Sequence, residues 1–134
     1  MKLNTKTARL LDANLNRARE GLRVVEDTAR FLWDDKKLYQ SLRSLRHKLH
    51  SITQVRYKDL LSARESETDV GRRIPEGLRP SVSSLVSANL RRAQEAVRVL
   101  EEYSKIFSNT AAADLKRIRY QLYMKEKMIL KKLI

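Results

Sequence analysis

A row of polar side chains recurs at every third position in two separate stretches of the chain. Arginine side chains bind anions such as phosphate, and carboxylates bind cations or accept protons. Such a row could therefore hold a charged ligand. The first copy is Asn14, Arg17, Glu20, Arg23 and Glu26, and the second, at an offset of 75 residues, is Asn89, Arg92, Glu95, Arg98 and Glu101.

A purely structural role is the main alternative for this row. Glu and Arg three residues apart on a helix form ion pairs that contribute about 0.2–0.5 kcal/mol each. Both interpretations stay open for Glu20, Arg23, Glu95 and Arg98. The structural alternative is weaker for Asn14 and Asn89, because asparagine disfavours the interior of a helix. An Asn in that position indicates a specific hydrogen-bond partner.

The apolar residues around the row predict four long helices. They recur at steps of three and four, which is one face of a helix, and no segment alternates with the period of two that strands require. Asn4 or Thr5, Asp34 or Asp35, and Pro80 with Ser81 suit the starts of the first three helices. The four apolar stripes are Leu11, Leu15, Ala18, Leu22, Val25, Ala29 and Leu32, then Leu38, Leu42, Leu45, Leu49 and Ile52, then Val86, Leu90, Ala93, Val97, Leu100 and Phe107, and finally Leu115, Ile118, Leu122, Ile129 and Leu133.

The helices form a duplicated pair. The fourth echoes the second at an offset of 73, where LRSLRHKLH matches LKRIRYQLY and Arg46 stands opposite Arg119. We therefore predict an all-α fold of four main helices, a duplicated helical hairpin that packs like a bundle. The prediction is one domain over 1–134, with repeats at about 5–57 and 81–133 joined by a long loop at about 58–80.

Composition limits the classes of function. The 134 residues carry a net charge of +13 and no cysteine. They therefore lack a disulfide framework, and no apolar run approaches the roughly 20 residues of a membrane span. We expect a cytoplasmic protein whose surface attracts anions. His47 and His50 have metal-ligand spacing, but their repeat partners are Tyr120 and Tyr123, which favours a structural role. Nucleotide-binding glycine loops are absent, so an enzyme would build its site from helix faces and the central loop.

Four stretches together resemble a known family. They are LDANLNRAREGLRVVEDTARFL, LRSLRHKL, the pattern R-x-x-x-x-D-V-G at Arg64, Asp69, Val70 and Gly71, and SANLRRAQEAVRVLEEYSK. Over about residues 8 to 125 they resemble a small all-helical family of thiamine biosynthesis, found alone or fused in front of thiamine-phosphate synthase. That family is associated with hydroxymethylpyrimidine-phosphate kinase activity. The resemblance implies phosphoryl transfer from ATP to hydroxymethylpyrimidine phosphate, with Mg²⁺ as cofactor.

Such a transfer needs cations for the phosphates and carboxylates for magnesium or for a base. The two copies differ at Gly21, which is Ala96 in the second, and we expect the first repeat to lie nearer the substrate because Gly21 would allow close approach. Two similar hairpins could also supply one half-site each for the two substrates. From the chain's own charged residues we expect substrate binding by Asn14, Arg17, Arg23, Arg46, Arg64, Gly71, Asn89, Arg92 and Arg98, catalysis by Glu20, Asp69 and Glu95, and magnesium binding by Glu26 and Glu101.

Two other functions stay open. The domain could be a non-catalytic accessory that binds a pyrimidine phosphate for thiamine-phosphate synthase. It could also be a basic nucleic-acid-binding module, although its basic residues are interleaved with acids along the sequence rather than clustered. A homodimer is also compatible with the amphipathic helices.

Overall fold

The computed structural model describes residues 3–52 and 57–133, and within these ranges the chain is all-helical with no strand. The predicted all-α, bundle-like class is confirmed. The end of the first repeat, at 53–56, lies outside the described residues. The described elements are α1 (Thr5–Asp27), a π-helical turn (Thr28–Leu32), α2 (Lys36–Ile52), α3 (Tyr57–Ala63), α4 (Val82–Ser104) and α5 (Asn109–Leu133).

Polar side chains fix the helix starts, as the sequence predicts. The Asn4 side chain accepts hydrogen bonds from two backbone amides at the start of α1. Ser81 accepts from Ser84 N at 3.1 Å at the start of α4. The Asp35 carboxylate accepts from Leu38 N at 3.0 Å at the start of α2. These caps satisfy amides that have no partner inside the helix.

The apolar stripes form a single core. Helix α1 packs against α4 and α2, and α4 packs against α5, so the two hairpins share one interior. Nearly every predicted stripe residue is buried. Ile52 and Phe107 lie at the edge of the core, half-buried against it. Leu32 and Leu133 are exposed, which corrects the prediction for these two positions.

Two elements differ from the sequence prediction. The first helix does not run uniformly to Trp33, because it widens into the π-helical turn, and there the amide of Trp33 donates to Thr28 O at 3.1 Å. The wider turn shifts the helical phase, and Leu32 therefore points away from the core. The predicted central loop also contains α3, whose Leu60 and Ala63 are buried. Two buried positions in seven residues give too short a pattern to detect.

Gly21 allows α1 and α4 to approach each other closely. A Cβ atom added at Gly21 would lie 2.8 Å from the backbone oxygen of Asn89. The second repeat carries Ala96 at the equivalent position. The expectation that Gly21 serves close approach to a substrate is therefore wrong, since its neighbour is the backbone of α4. None of the described helices has the length and apolarity to span a membrane.

Candidate functional site

A cleft of about 500 Å³ opens between the first half of α1 and the loop that follows α3. Its volume falls in the range of about 300–1,000 Å³ that is typical of small-molecule sites. Four cationic and three acidic side chains line it, a composition suited to an anionic ligand that carries a metal ion. The lining residues are Lys6, Arg9, Leu10, Asp12, Ala13, Asn16 and Arg17 from α1, and Arg64, Glu65, Ser66, Thr68, Asp69 and Val70 from the loop.

Two arginine contacts attach the loop wall to α1. Arg64 donates through Nε to Asp12 Oδ2 at 2.8 Å and through Nη2 to Asp12 Oδ1 at 2.9 Å. The Asp12 carboxylate is almost fully buried, and with the nearby phenol of Tyr57 it raises the pKa of Arg64. Arg9 donates through Nη2 to the backbone oxygen of Glu65 at 2.9 Å. Charge-assisted hydrogen bonds therefore fix the loop to α1, so that the loop forms a defined wall of the cleft.

The other charged groups of the cleft remain open to a ligand. The side chains of Lys6 and Arg17 form no ion pair within residues 3–52 and 57–133, and both are exposed. Glu65 and Asp69 are exposed carboxylates on the loop side. Asp69 Oδ1 also accepts a hydrogen bond from the amide of Gly71 at 2.9 Å, which bends the loop around it.

Two arginine–glutamate pairs lie in the interior and are related by the repeat. Glu26 is 0% exposed, and Arg46 donates to both of its oxygens, with Nη2 at 3.1 Å from Oε1. Arg119 binds Glu101 in the same way, with Nε at 2.7 Å and Nη2 at 3.2 Å. A magnesium ion at either glutamate would first have to displace an arginine. This arrangement supplies a structural reason why these polar residues recur.

Asn14 and Asn89 also use equivalent contacts. Each side-chain amide donates to the backbone oxygen four residues earlier, to Leu10 at 3.0 Å and to Leu85 at 2.9 Å. The sequence predicts a specific hydrogen-bond partner for both, and the structure supplies it within the same helix. Their predicted role in substrate binding stays a prediction.

The remaining members of the polar row lie on the outer surface. Glu20 and Glu95 are exposed. Arg23 is 3.8 Å from Asp27, and Arg98 Nη2 is 3.0 Å from Glu102 Oε1, so both arginines pair four residues along the helix with partners outside the row. Only Arg98 also approaches a row member three residues away, Glu101 at 3.8 Å, as the structural alternative predicts. None of these four lines the cleft.

The second repeat has a different surface where the first has the cleft. Ser87 stands at the position equivalent to Asp12, and Glu126 of α5 lies beside it. Gln94 donates to Glu126 Oε1 at 3.0 Å, and Arg91 approaches its other oxygen at 3.5 Å. Arg92, the equivalent of Arg17, is paired with Glu76 at 2.7 Å. Thus the face that is open in the first repeat is occupied by ion pairs in the second.

The donor set of the cleft fits magnesium only together with a phosphate ligand. In the part of the chain that the structure describes, no three His, Asp or Glu side chains are grouped as around a metal ion. Magnesium usually binds one or two carboxylates together with substrate phosphates and waters. Glu65 and Asp69 match that requirement.

Asp12, Lys6, Arg9 and Glu65 line the cleft but are not among the site residues predicted from the sequence. Asp12 follows Leu11 directly, on the buried side of α1, and a carboxylate there requires a cationic partner. That signal was present in the sequence. Its partner Arg64 is 52 residues away, and spacing alone could not identify it.

Comparison with known proteins places the chain in a family. Residues 9–128 match the model of the ThiD2 family. Thiamine-phosphate synthase of Synechocystis sp. (strain ATCC 27184 / PCC 6803 / Kazusa) is 44% identical over 129 residues, which are 94% of this chain and 37% of that protein. Thiamine-phosphate synthase of Parasynechococcus marenigrum (strain WH8102) is 47% identical over 124 residues, 90% of this chain and 35% of that protein. No solved structure matches.

The chain therefore spans about a third of the length of these curated relatives. The family match covers most of α1 to α5, with both buried ion pairs and every cleft residue except Lys6. The family-level resemblance noted in the sequence is confirmed, whereas the kinase activity stays a prediction. On this evidence the chain belongs to the ThiD2 family.

Proposed function

We propose that this chain transfers a phosphoryl group from ATP to hydroxymethylpyrimidine phosphate, giving the diphosphate used in thiamine biosynthesis. The observation that carries the proposal is the cleft, where Lys6 and Arg17, which pair with no residue that the structure describes, lie opposite the carboxylates of Glu65 and Asp69. Family membership and the names of the curated relatives support the pathway.

The reaction balances without a general base. The bond between the γ-phosphorus of ATP and the bridging oxygen breaks, and the electron pair leaves with ADP. An oxygen of the pyrimidine's phosphate forms the new bond to that phosphorus. The second pKa of a phosphate monoester is about 6, so the attacking group is already an anion at neutral pH. Basic roles for Glu20 and Glu95 are therefore not required by the chemistry.

The cleft residues have separate roles in this proposal. Lys6 and Arg17 neutralise the acceptor phosphate and reduce its repulsion from the γ-phosphate. Arg64, fixed by Asp12, adds a third positive charge whose position is set before the ligand binds. Magnesium, when bound to the ATP phosphates, withdraws charge from them, and Glu65 and Asp69 are the carboxylates that would hold it.

The test is a phosphorus NMR time course with the purified chain, hydroxymethylpyrimidine phosphate and Mg-ATP. We expect ADP and a new diphosphate ester to appear together. Arg17→Ala should lower kcat/KM by at least about tenfold, because it removes an unpaired cation of the cleft. Arg92→Ala is the matched control, since it is the same residue of the second repeat and is already paired with Glu76. An equal loss in both variants would contradict the assignment of the cleft.

One observation favours a second candidate function. The relatives named thiamine-phosphate synthase are much longer, and this chain covers only 37% or 35% of two of them. The domain would then bind a pyrimidine phosphate for a synthase and turn over no ATP. Calorimetric binding of hydroxymethylpyrimidine phosphate that Arg17→Ala weakens, with no turnover in the NMR time course, would support this accessory role instead.

A further inference from the structure

A second concave surface lies on a different part of the molecule, between α2 and α5. It is a groove of about 420 Å³, and none of its lining residues belongs to the cleft. Leu45, Met124 and Met128 supply the apolar surface of the groove, and Lys48 and Lys125 supply its cations. Met124 is 70% exposed and Met128 is 38% exposed, although both lie on a helix whose opposite side forms the core.

The charge around this groove has one sign. Helix α2 contains no Asp or Glu, and none of the described residues that line the groove is acidic. Arg43, Lys48 and Lys125 form no ion pair within the described residues. Beside the groove, Arg43, His47 and Lys48 line a shallow depression that is also free of acids. Partial desolvation and the charges of Arg43 and Arg46 lower the pKa of His47.

This distribution was hidden in the linear sequence. Along the chain the basic residues alternate with acids, but folding pairs at least half of the acids elsewhere, as in Arg23 with Asp27 and Arg117 with Asp114. At the groove, by contrast, Lys48 and Lys125 form no ion pair with any residue that the structure describes. An exposed apolar strip whose rim carries only positive charges is characteristic of a binding surface rather than of a solvated helix face.

We propose that the groove between α2 and α5 binds an amphipathic helix of a partner protein, apolar on one side and acidic on the other. Methionines adapt to an incoming apolar helix face, and the lysines pair with acidic residues on its edges. A second copy of this chain is a poor occupant, because it carries the same net charge of +13. Nucleic acid is also a poor match, since none of the described residues that line the groove is aromatic or arginine, and methionines offer no stacking platform.

The experiment uses a fluorescein-labelled helical peptide of about five turns, with Leu on one face and Glu on the other, against the full chain. Its twin carries Lys in place of Glu. We expect the acidic peptide to bind and the basic twin not to bind in fluorescence anisotropy. Lys48→Glu with Lys125→Glu should weaken binding by at least about tenfold. Met124→Ala with Met128→Ala should weaken binding of the acidic peptide several-fold, whereas substitutions of exposed residues outside the groove should leave that binding unchanged.

The matched control is Lys58→Glu with Lys127→Glu, which changes the net charge equally but lies outside the groove. Lys125 is half-buried and the other substituted residues are exposed, so circular dichroism should show the same folded helix content in each variant. An equal loss in the control variant, or no binding of the acidic peptide, overturns the proposal. Binding of a single-stranded RNA that the lysine variant abolishes and the methionine variant leaves unchanged also overturns it, in favour of a nucleic-acid surface.

Discussion

At the scale of single residues, Asp12 connects the buried side of α1 to the wall of the cleft. Asp12→Asn keeps the shape of the side chain and removes the charge that holds Arg64. We expect binding of hydroxymethylpyrimidine phosphate to weaken by about tenfold, equivalent to about 1.4 kcal/mol of binding free energy. Stability should fall by only about 1 kcal/mol, because the Arg64 side chain is 34% exposed and can turn to water.

Calorimetry measures that affinity, and limited trypsin digestion at Arg72 and Arg73 reports whether the loop has loosened. Glu76→Gln is the control, because Glu76 pairs with Arg92 outside the cleft and its side chain is 67% exposed. The positioning role of Asp12 fails if Asp12→Asn binds the ligand as tightly as the unmodified chain while the loop becomes sensitive to trypsin.

The buried pair of Glu26 and Arg46 has a different consequence. Glu26→Gln leaves the guanidinium of Arg46 in the interior without its anion, and loss of one partner of a buried pair costs about 3–5 kcal/mol. Urea unfolding should show that loss. Replacing both residues by methionine should recover most of the stability, since no charge is then buried. Asp114→Asn, at an exposed helical pair, should stay within about 0.5 kcal/mol of the unmodified chain.

The same variant tests the magnesium prediction for Glu26. If Glu26→Gln keeps its stability but changes the magnesium dependence of ATP turnover, Glu26 acts as a metal ligand and the structural account of the pair is wrong. The expected result is the reverse, a less stable protein with an unchanged magnesium dependence.

At the scale of helices, the contact of α1 with α4 depends on Gly21. Gly21→Ala should raise intrinsic helix stability by about 1 kcal/mol but place a Cβ atom 2.8 Å from the Asn89 oxygen. Because the neighbour is backbone, the two helices must separate, and we expect a net loss of about 1–3 kcal/mol in thermal or urea unfolding. Gly77→Ala is the control, since nothing lies within 4 Å of its position. A Gly21→Ala protein that is more stable than the original would show that α4 can shift freely.

Sequence periodicity predicted these helices well wherever a stripe was long. The apolar stripe residues from Leu11 to Ala29 and from Val86 to Leu100 are buried as predicted. Several turns of one repeated pattern leave little doubt about which face of the helix is apolar. Periodicity gave a wrong prediction at Leu32, where the π-helical turn changes the helical phase. It also missed α3, in which only Leu60 and Ala63 are buried. The cleft was predicted only in part, through Arg17, Arg64 and Asp69, because the contact between Asp12 and Arg64 depends on where α3 directs the chain.

At the scale of the whole molecule, duplication has left two hairpins that share one core but differ in their surfaces. The buried pairs of Glu26 with Arg46 and Glu101 with Arg119 remain equivalent. The face that carries Asp12 in the first repeat carries Ser87 in the second, and there Glu126 fills the space. The two repeats thus remain equivalent in the interior but differ at the surface. The first repeat has a cleft where the second has ion pairs. This asymmetry is evidence against equal half-sites for the two substrates.

The shared core also predicts that neither hairpin folds alone. Helix α1 makes its most extensive contact with α4 of the other hairpin, so each half by itself exposes most of its apolar stripe. The chain can be divided after Gly77, next to the fully exposed Leu78, without removing a packed residue. We expect residues 1–77 and 78–134 to show little helix separately and to recover it when mixed, as measured by circular dichroism and urea unfolding. Cooperative unfolding of either half alone would instead mean that the hairpins are independent units, and the close contact at Gly21 would then be a docking surface rather than the centre of a single core.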